Sequence, residues 1–245
     1  MTALSDPLSA LETVVIAGVT IPIDPALMSD SIQNVLRAGK WEGGEARVLP
    51  QIVEPDERVV DLGACIGFLS ALIGLQRKAA SIVAFEANPE LIPLIKDVLR
   101  LNGVEAVVRN ALVATATTSA TVPFYLHNDL WASSPIRVKD SARRGVVQLP
   151  ALSLREMVVE LSPTLVIIDL EVMRGFIADS ASSPAGKLDF SGLRGVDKVL
   201  TELKPTRFSM AEIKAVFDAF SAQGFVYDPA RSQGELVLFR SCSPG

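Results

Sequence analysis

Short apolar runs alternate along this chain with stretches whose apolar positions recur every three or four residues, a pattern that predicts strands alternating with helices. Val59, Val60 and Leu62 suit a strand buried on both faces; Gly63 follows where the backbone must turn, and Gly67 opens the apolar helix Phe68–Leu75. Residues 81–85 repeat the strand pattern. Behind them Asn88 predicts a helix N-cap and Pro89 a first helical position; Leu91, Ile92, Ile95 and Leu99 form one stripe, and Asn102-Gly103 the stop. Further strands are expected at 106–109, 121–126, 165–168 and 198–203, and a closing pair at 225–228 and 235–240. Ser153 with Glu156 and Ser209 with Glu212 predict two capping boxes. Ahead of the first core strand, 13–16 and 19–23 read as a hairpin, and 29–38 and 44–52 as helices. Two stretches lack periodicity: 128–145, and the Ser-, Gly- and Pro-rich 178–195, which reads as an insertion.

The strand–glycine–helix unit is where chemistry is expected. Glu86 ends the second strand 23 positions after Gly63, close to the roughly 20 residues that separate a glycine turn from a ribose-binding acid. A pyrophosphate cofactor favours three closely spaced glycines, whereas here the pattern is Gly63-x-x-x-Gly67 behind Asp61. A carboxylate there would repel a pyrophosphate and favour a sulfonium and an α-ammonium group, which selects S-adenosylmethionine. Asp169 is a second acid at the end of a core strand, in the region where open α/β sheets hold their ligands.

In combination these motifs resemble the FkbM-type S-adenosylmethionine-dependent methyltransferases. The resemblance rests on Asp61-Leu62-Gly63-Ala64-Cys65-Ile66-Gly67, Ala84-Phe85-Glu86-Ala87-Asn88-Pro89, Leu101-Asn102-Gly103, Gly39-Lys40-Trp41-Glu42, Leu152-Ser153-Leu154-Arg155-Glu156 and Ile168-Asp169-Leu170-Glu171. It covers 14–240 and implies a Rossmann-like class I fold: a seven-stranded, mostly parallel sheet of order 3-2-1-4-5-7-6 with helices on both faces. One domain is expected, with 1–52 as a lead-in hairpin and cap helices and 53–245 as the cofactor-binding core. The lead-in would cover the cofactor end of the sheet, with Trp41 and Glu42 standing where the family has an aromatic-Glu pair. The resemblance implies cofactor contacts at Asp61, Gly63, Ala64, Cys65, Gly67, Glu86, Ala87 and Asp169, with Asn110 and Ala111 at the adenine. Methyl transfer to a hydroxyl of a small or sugar-like metabolite follows, with Asp169 or Glu171 as general base. The chain departs from the family at Val172-Met173-Arg174, where a glycine and a second glutamate are gone, and at Cys65, which replaces a common asparagine. These departures keep a cofactor-binding protein without turnover as an alternative; a nicotinamide-dependent oxidoreductase is the other, opposed by Asp61 and the missing third glycine.

Composition narrows the partners. At 245 residues and 49% hydrophobic content, the chain can bury a full core. A net charge of −5 leads to the expectation that nucleic acid is not a substrate. Within 128–145, however, Arg137, Lys139, Arg143 and Arg144 outweigh Asp129 and Asp140, which suggests a lid over an anionic small-molecule acceptor. With one histidine and two distant cysteines, no metal site is expected. The first 36 residues lack Lys and Arg and no apolar run reaches 18 residues, so a cytoplasmic monomer or homodimer without membrane contact is expected.

Overall fold

A computed structural model describes residues 11–76, 79–116, 119–128, 133–136, 143–182 and 187–242, the side chains of 143, 144, 181 and 182 excepted. The expected sheet is present. Its strands are β3 (Arg58–Leu62), β4 (Ser81–Glu86), β5 (Val107–Asn110), β9 (Leu165–Ile168), β10 (Lys198–Glu202), β11 (Phe225–Tyr227) and β12 (Leu236–Ser241). They lie in the order β11-β12-β10-β9-β3-β4-β5. Numbered among themselves, that is 3-2-1-4-5-7-6, and β12 alone pairs antiparallel with its neighbours. The fold is the Rossmann-like α/β fold of class I methyltransferases.

Strand alternation divides the core between the two faces. Val59, Ile82, Ala84, Leu165, Ile167, Leu200 and Leu238 pack beneath α1 (Asp30–Arg37), α2 (Gly43–Ile52), α3 (Phe68–Leu75) and α4 (Ile92–Leu101). Val60, Leu62, Val83, Phe85, Val166, Ile168, Val199 and Phe239 pack against α5 (Leu154–Leu161), α6 (Leu170–Ser182) and α7 (Met210–Ala222). Both capping boxes form, with the Ser153 and Ser209 hydroxyls accepting the Glu156 and Glu212 N–H groups. The lead-in hairpin pairs β1 (Glu12–Ile16) with β2 (Val19–Ile23). It is pinned to the α4 terminus by Asn102, which accepts the Thr20 N–H and donates to the Thr20 carbonyl, both at 2.8 Å.

Two expectations need correction. The aperiodic stretch ends in a long strand, β8 (Arg143–Ser153), which pairs with β6 (Leu112–Ala114) and β7 (Thr121–His127) in a separate three-stranded sheet. Pro150 sits in β8 opposite Thr121, at the end of its pairing with β7, where proline is tolerated. The insertion expected from 178 begins later, because α6 runs through to Ser182. Residues 129–132 and 137–142 lie outside the described set, so the basic-lid expectation falls largely there; only the backbone of Arg143 and Arg144 belongs to it.

Candidate active site

The carboxyl ends of β3, β4, β9 and β10 open on a cavity of about 660 Å³, within the usual range for small-molecule sites. Its floor is the turn after β3. Gly63 (φ 89°) and Gly67 (φ 80°) take left-handed backbone that glycine adopts freely, and Cys65 (φ 53°) takes it without that freedom. The turn folds back on β4: the N–H groups of Gly63 and Ala64 both donate to the Phe85 carbonyl, at 2.9 and 3.0 Å. Gly67 then becomes the N-cap of α3, where an added Cβ would crowd Ile95.

Glu86 holds the turn from the other side. Its Oε2 accepts the Cys65 N–H at 2.9 Å and its Oε1 the Asn88 N–H at 2.7 Å, so one carboxylate joins the first turn to the second. Each oxygen keeps a lone pair, and Glu86 lines the cavity. Burial pushes its carboxyl up to about 7, the two N–H bonds opposing the shift. Asp169 behaves similarly. Its Oδ2 accepts the Glu171 N–H at 2.8 Å and caps α6, while its side chain lines the cavity; burial, against that bond, carries it to about 7.

Of the residues expected at the cofactor, Gly63, Ala64, Cys65, Glu86, Ala87, Ala111 and Asp169 line the cavity. Three do not. Asp61 shares the face of Val59 and points under α3, where its Oδ2 accepts the Ser70 hydroxyl at 2.7 Å, with 1% of its surface exposed. Burial raises it to about 6, against the Ser70 bonds. The counter-charge expected of Asp61 is therefore turned away from the ligand space. Asn110 donates to the carbonyls of Glu86 and Ala87, at 2.9 and 3.0 Å, which makes it a brace of the second turn instead of an adenine contact. Gly67 works through backbone shape. Glu171 does line the cavity, but its two oxygens are engaged by Arg207 at 2.6 Å and Arg174 at 2.8 Å.

The remaining wall comes from residues to which the residue patterns assigned no chemistry of their own. Lys40, Trp41, Glu42 and Glu45 enter from the lead-in, Glu202, Lys204 and Arg207 from β10 and beyond, Asp179 from α6, and Ser133 and Ser134 from the segment tied to β7. The serines are held by the Tyr125–Ser134 backbone pair and by the Ser133 hydroxyl accepting the His127 N–H. Among the described residues, acids outnumber bases on this lining. The signal for Glu45 and Glu202 was absent from the motifs, since each is one acid in an otherwise ordinary helix or strand.

The residues present suit S-adenosylmethionine: an acid with free lone pairs beside a glycine turn for a ribose, a small Ala111 beside it, and carboxylates for cationic groups. Residues 31–121 match the family model of the TRM5/TYW2 methyltransferase domain. Among solved structures, the chain is similar to TYW2 of Pyrococcus horikoshii in complex with MeSAdo, at 14% identity and TM-score 0.46, over 94% of this chain and 69% of that one. It is similar to the tRNA m1G37 methyltransferase of M. jannaschii at 18% identity and TM-score 0.44, over 94% of this chain and 54% of that one. A third is the magnesium protoporphyrin IX methyltransferase of Synechocystis with bound SAM, at 11% identity and TM-score 0.48, over 87% and 85%. The chain thus spans about half the length of the M. jannaschii enzyme. No curated protein matches. At such identities the solved structures speak to chain path alone.

The family match corrects the exclusion of nucleic acid: the model that matches residues 31–121 is that of the TRM5/TYW2 methyltransferase domain. Net charge is a sum over the whole surface and does not describe the local face at a cavity mouth. The FkbM-type likeness remains a resemblance. Among the described residues, no helix is long and apolar enough to cross a membrane. Glycine turn, terminal acid and family model agree on the class: an S-adenosylmethionine-dependent methyltransferase, with S-adenosylmethionine as cofactor.

Proposed function

We propose that the chain transfers a methyl group from S-adenosylmethionine to a hydroxyl of a small or sugar-like acceptor that enters the cavity beside Asp169. The observation that carries the acceptor reading is the lining beyond the turn. Asp169, Asp179, Glu202 and Glu45 stand there, and the nearby Arg207 is already engaged by Glu171. Such a wall accepts hydrogen bonds from hydroxyl donors and gives an acceptor's phosphate little to bind. When bound, the cofactor supplies an electrophilic methyl group. The chain's own part is to orient and to handle a proton. Glu86 and the 63–67 turn fix the nucleoside end, and the acceptor is held against α6 and the Ser133–Ser134 segment; such alignment is the larger share of catalysis in this kind of transfer. Asp169, with its carboxyl near 7, is the base that takes the hydroxyl proton at neutral pH. Glu171 spends its oxygens on two arginines and serves instead to hold Arg207 at the rim.

A second reading is favoured by the family match over 31–121: the acceptor is a nucleoside within an RNA. One experiment addresses both. Purified protein is incubated with methyl-labelled S-adenosylmethionine and either a panel of hydroxylated metabolites or total tRNA. Label in a metabolite supports the first reading; label in tRNA alone replaces it with the second. No transfer to either, with the cofactor bound, would leave a binding protein without turnover.

A further inference from the structure

The cavity contains a carboxyl oxygen that has no hydrogen-bond partner among the described residues. Glu42 precedes α2 in left-handed backbone (φ 43°, ψ 38°), a conformation that costs a residue with a side chain. Its side chain lines the cavity, yet its Oε2 is shut off from solvent and meets no hydrogen-bond donor among the described residues. The groups around it are of its own sign: Glu45 on α2, Asp169 ahead of α6, Asp61 on β3 and Glu202 on β10. The cations on that wall are Lys40, Lys204 and Arg207; Lys204 is paired with Glu202 at 2.7 Å and Arg207 with Glu171 at 2.6 Å. Burial first, and then these four acids, hold the Glu42 carboxyl well above the usual carboxylate range. A buried acid without a donor is costly in a resting fold. It becomes useful if a ligand brings the missing positive charge.

The cofactor has such a charge, and the acid expected to meet it does not face the cavity: Asp61 is bonded to Ser70 beneath α3. We propose that Glu42 is the counter-ion of the cofactor's α-ammonium group. The proposal rests on the S-adenosylmethionine reading above. It assigns to the lead-in a role in cofactor recognition that the core alone does not perform: the nucleoside end is read by β3 and β4, the amino-acid end by the segment before them.

The test uses the full chain and two ligands, measured by isothermal titration calorimetry. S-adenosylhomocysteine carries the α-ammonium group, whereas 5′-methylthioadenosine keeps the nucleoside and thioether and lacks the amino-acid end. For Glu42→Gln, affinity for S-adenosylhomocysteine should fall about 10- to 100-fold, as a lost charge-assisted bond implies, while 5′-methylthioadenosine binds as it does to wild type. Retained nucleoside binding also shows that the variant is folded. Glu42→Asp should recover part of the loss. A second readout is independent of affinity: titration in two buffers of different ionisation enthalpy should show proton release when S-adenosylhomocysteine binds wild type, and less release with Glu42→Gln. Unchanged S-adenosylhomocysteine affinity in Glu42→Gln overturns the proposal, as does an equal loss for both ligands. If wild type binds neither ligand, the cofactor reading itself falls, and the proposal with it.

Discussion

Replacing Glu86 by Gln tests the centre of the site with almost no change of shape. The carboxylate accepts N–H groups from Cys65 and Asn88 through different oxygens. A glutamine offers one oxygen and one NH2, so one of those backbone donors must face another donor. Leaving a buried donor unmatched costs about 1–3 kcal/mol, which loosens the turn that shapes the nucleoside end. Against this, ionising a carboxyl raised from its ordinary 4.5 to about 7 costs roughly 3 kcal/mol in the fold, and glutamine is spared it. The two effects offset each other in stability at pH 8. They do not offset in binding, because only the carboxylate offers two acceptors to a ribose. S-adenosylhomocysteine affinity should therefore fall roughly tenfold to a hundredfold at pH 8. Wild-type affinity should decline as pH drops through 7, while the variant's stays flat, so the gap between them narrows toward pH 6. Calorimetric titration across pH 6–8, with thermal unfolding alongside, measures both. Full affinity in a folded variant at pH 8 would remove Glu86 from the nucleoside site.

Three further outcomes follow from the same structure. Asp61, Glu86 and Asp169 all titrate higher in the fold than in the unfolded chain, near 6, 7 and 7. The stability they contribute is full below about pH 4 and is lost as pH rises through 6–7, so the melting temperature of the ligand-free protein should fall between pH 5 and 8; Asp61→Asn should lessen that fall, and an unchanged profile would show that Asp61 ionises freely. Lys198 is buried with Glu57 as its ion-pair partner and donates to the Ile52 carbonyl. Lys198→Ala should cost about 3–5 kcal/mol in denaturant unfolding by stranding Glu57, and a loss below 1 kcal/mol would mean that the Thr164 hydroxyl and water suffice to satisfy it. Ser209→Ala removes one capping box and should cost about 1 kcal/mol without changing ligand affinity, checked by the same two measurements.

The sheet was legible because its strands are continuous apolar runs and its helices carry caps and stripes; residues 58–75 read directly as strand, turn and helix. What the sequence hid was direction. Asp61 lies in a strand buried on both faces, where an acid stands out chemically, but only packing decides whether it looks toward a helix or past the strand end. Asn110 was placed at the adenine, and Glu171 offered as a general base, by the resemblance and by position along the chain. Their partners, two carbonyls and two arginines, are brought to them by tertiary structure alone. β8 was missed because Gly145 and Pro150 interrupt the run that would have marked it. Cys65 shows the reverse case: its left-handed backbone explains why asparagine, which tolerates that conformation, suits the position in the resembling family.

The Asn102–Thr20 link has a consequence for synthesis. The hairpin and α1 leave the ribosome well before α3 and α4, against which β2 buries Val19, Ile21 and Ile23. Between Ile23 and Asn102 the ribosome adds 79 residues (102 − 23), which takes about 4–16 s at about 5–20 residues per second. For that interval the strand's apolar side has no native surface to cover it. The segment that closes the ligand cavity is thus translated ahead of α3 and α4, the helices that cover its strand, and completed only after them.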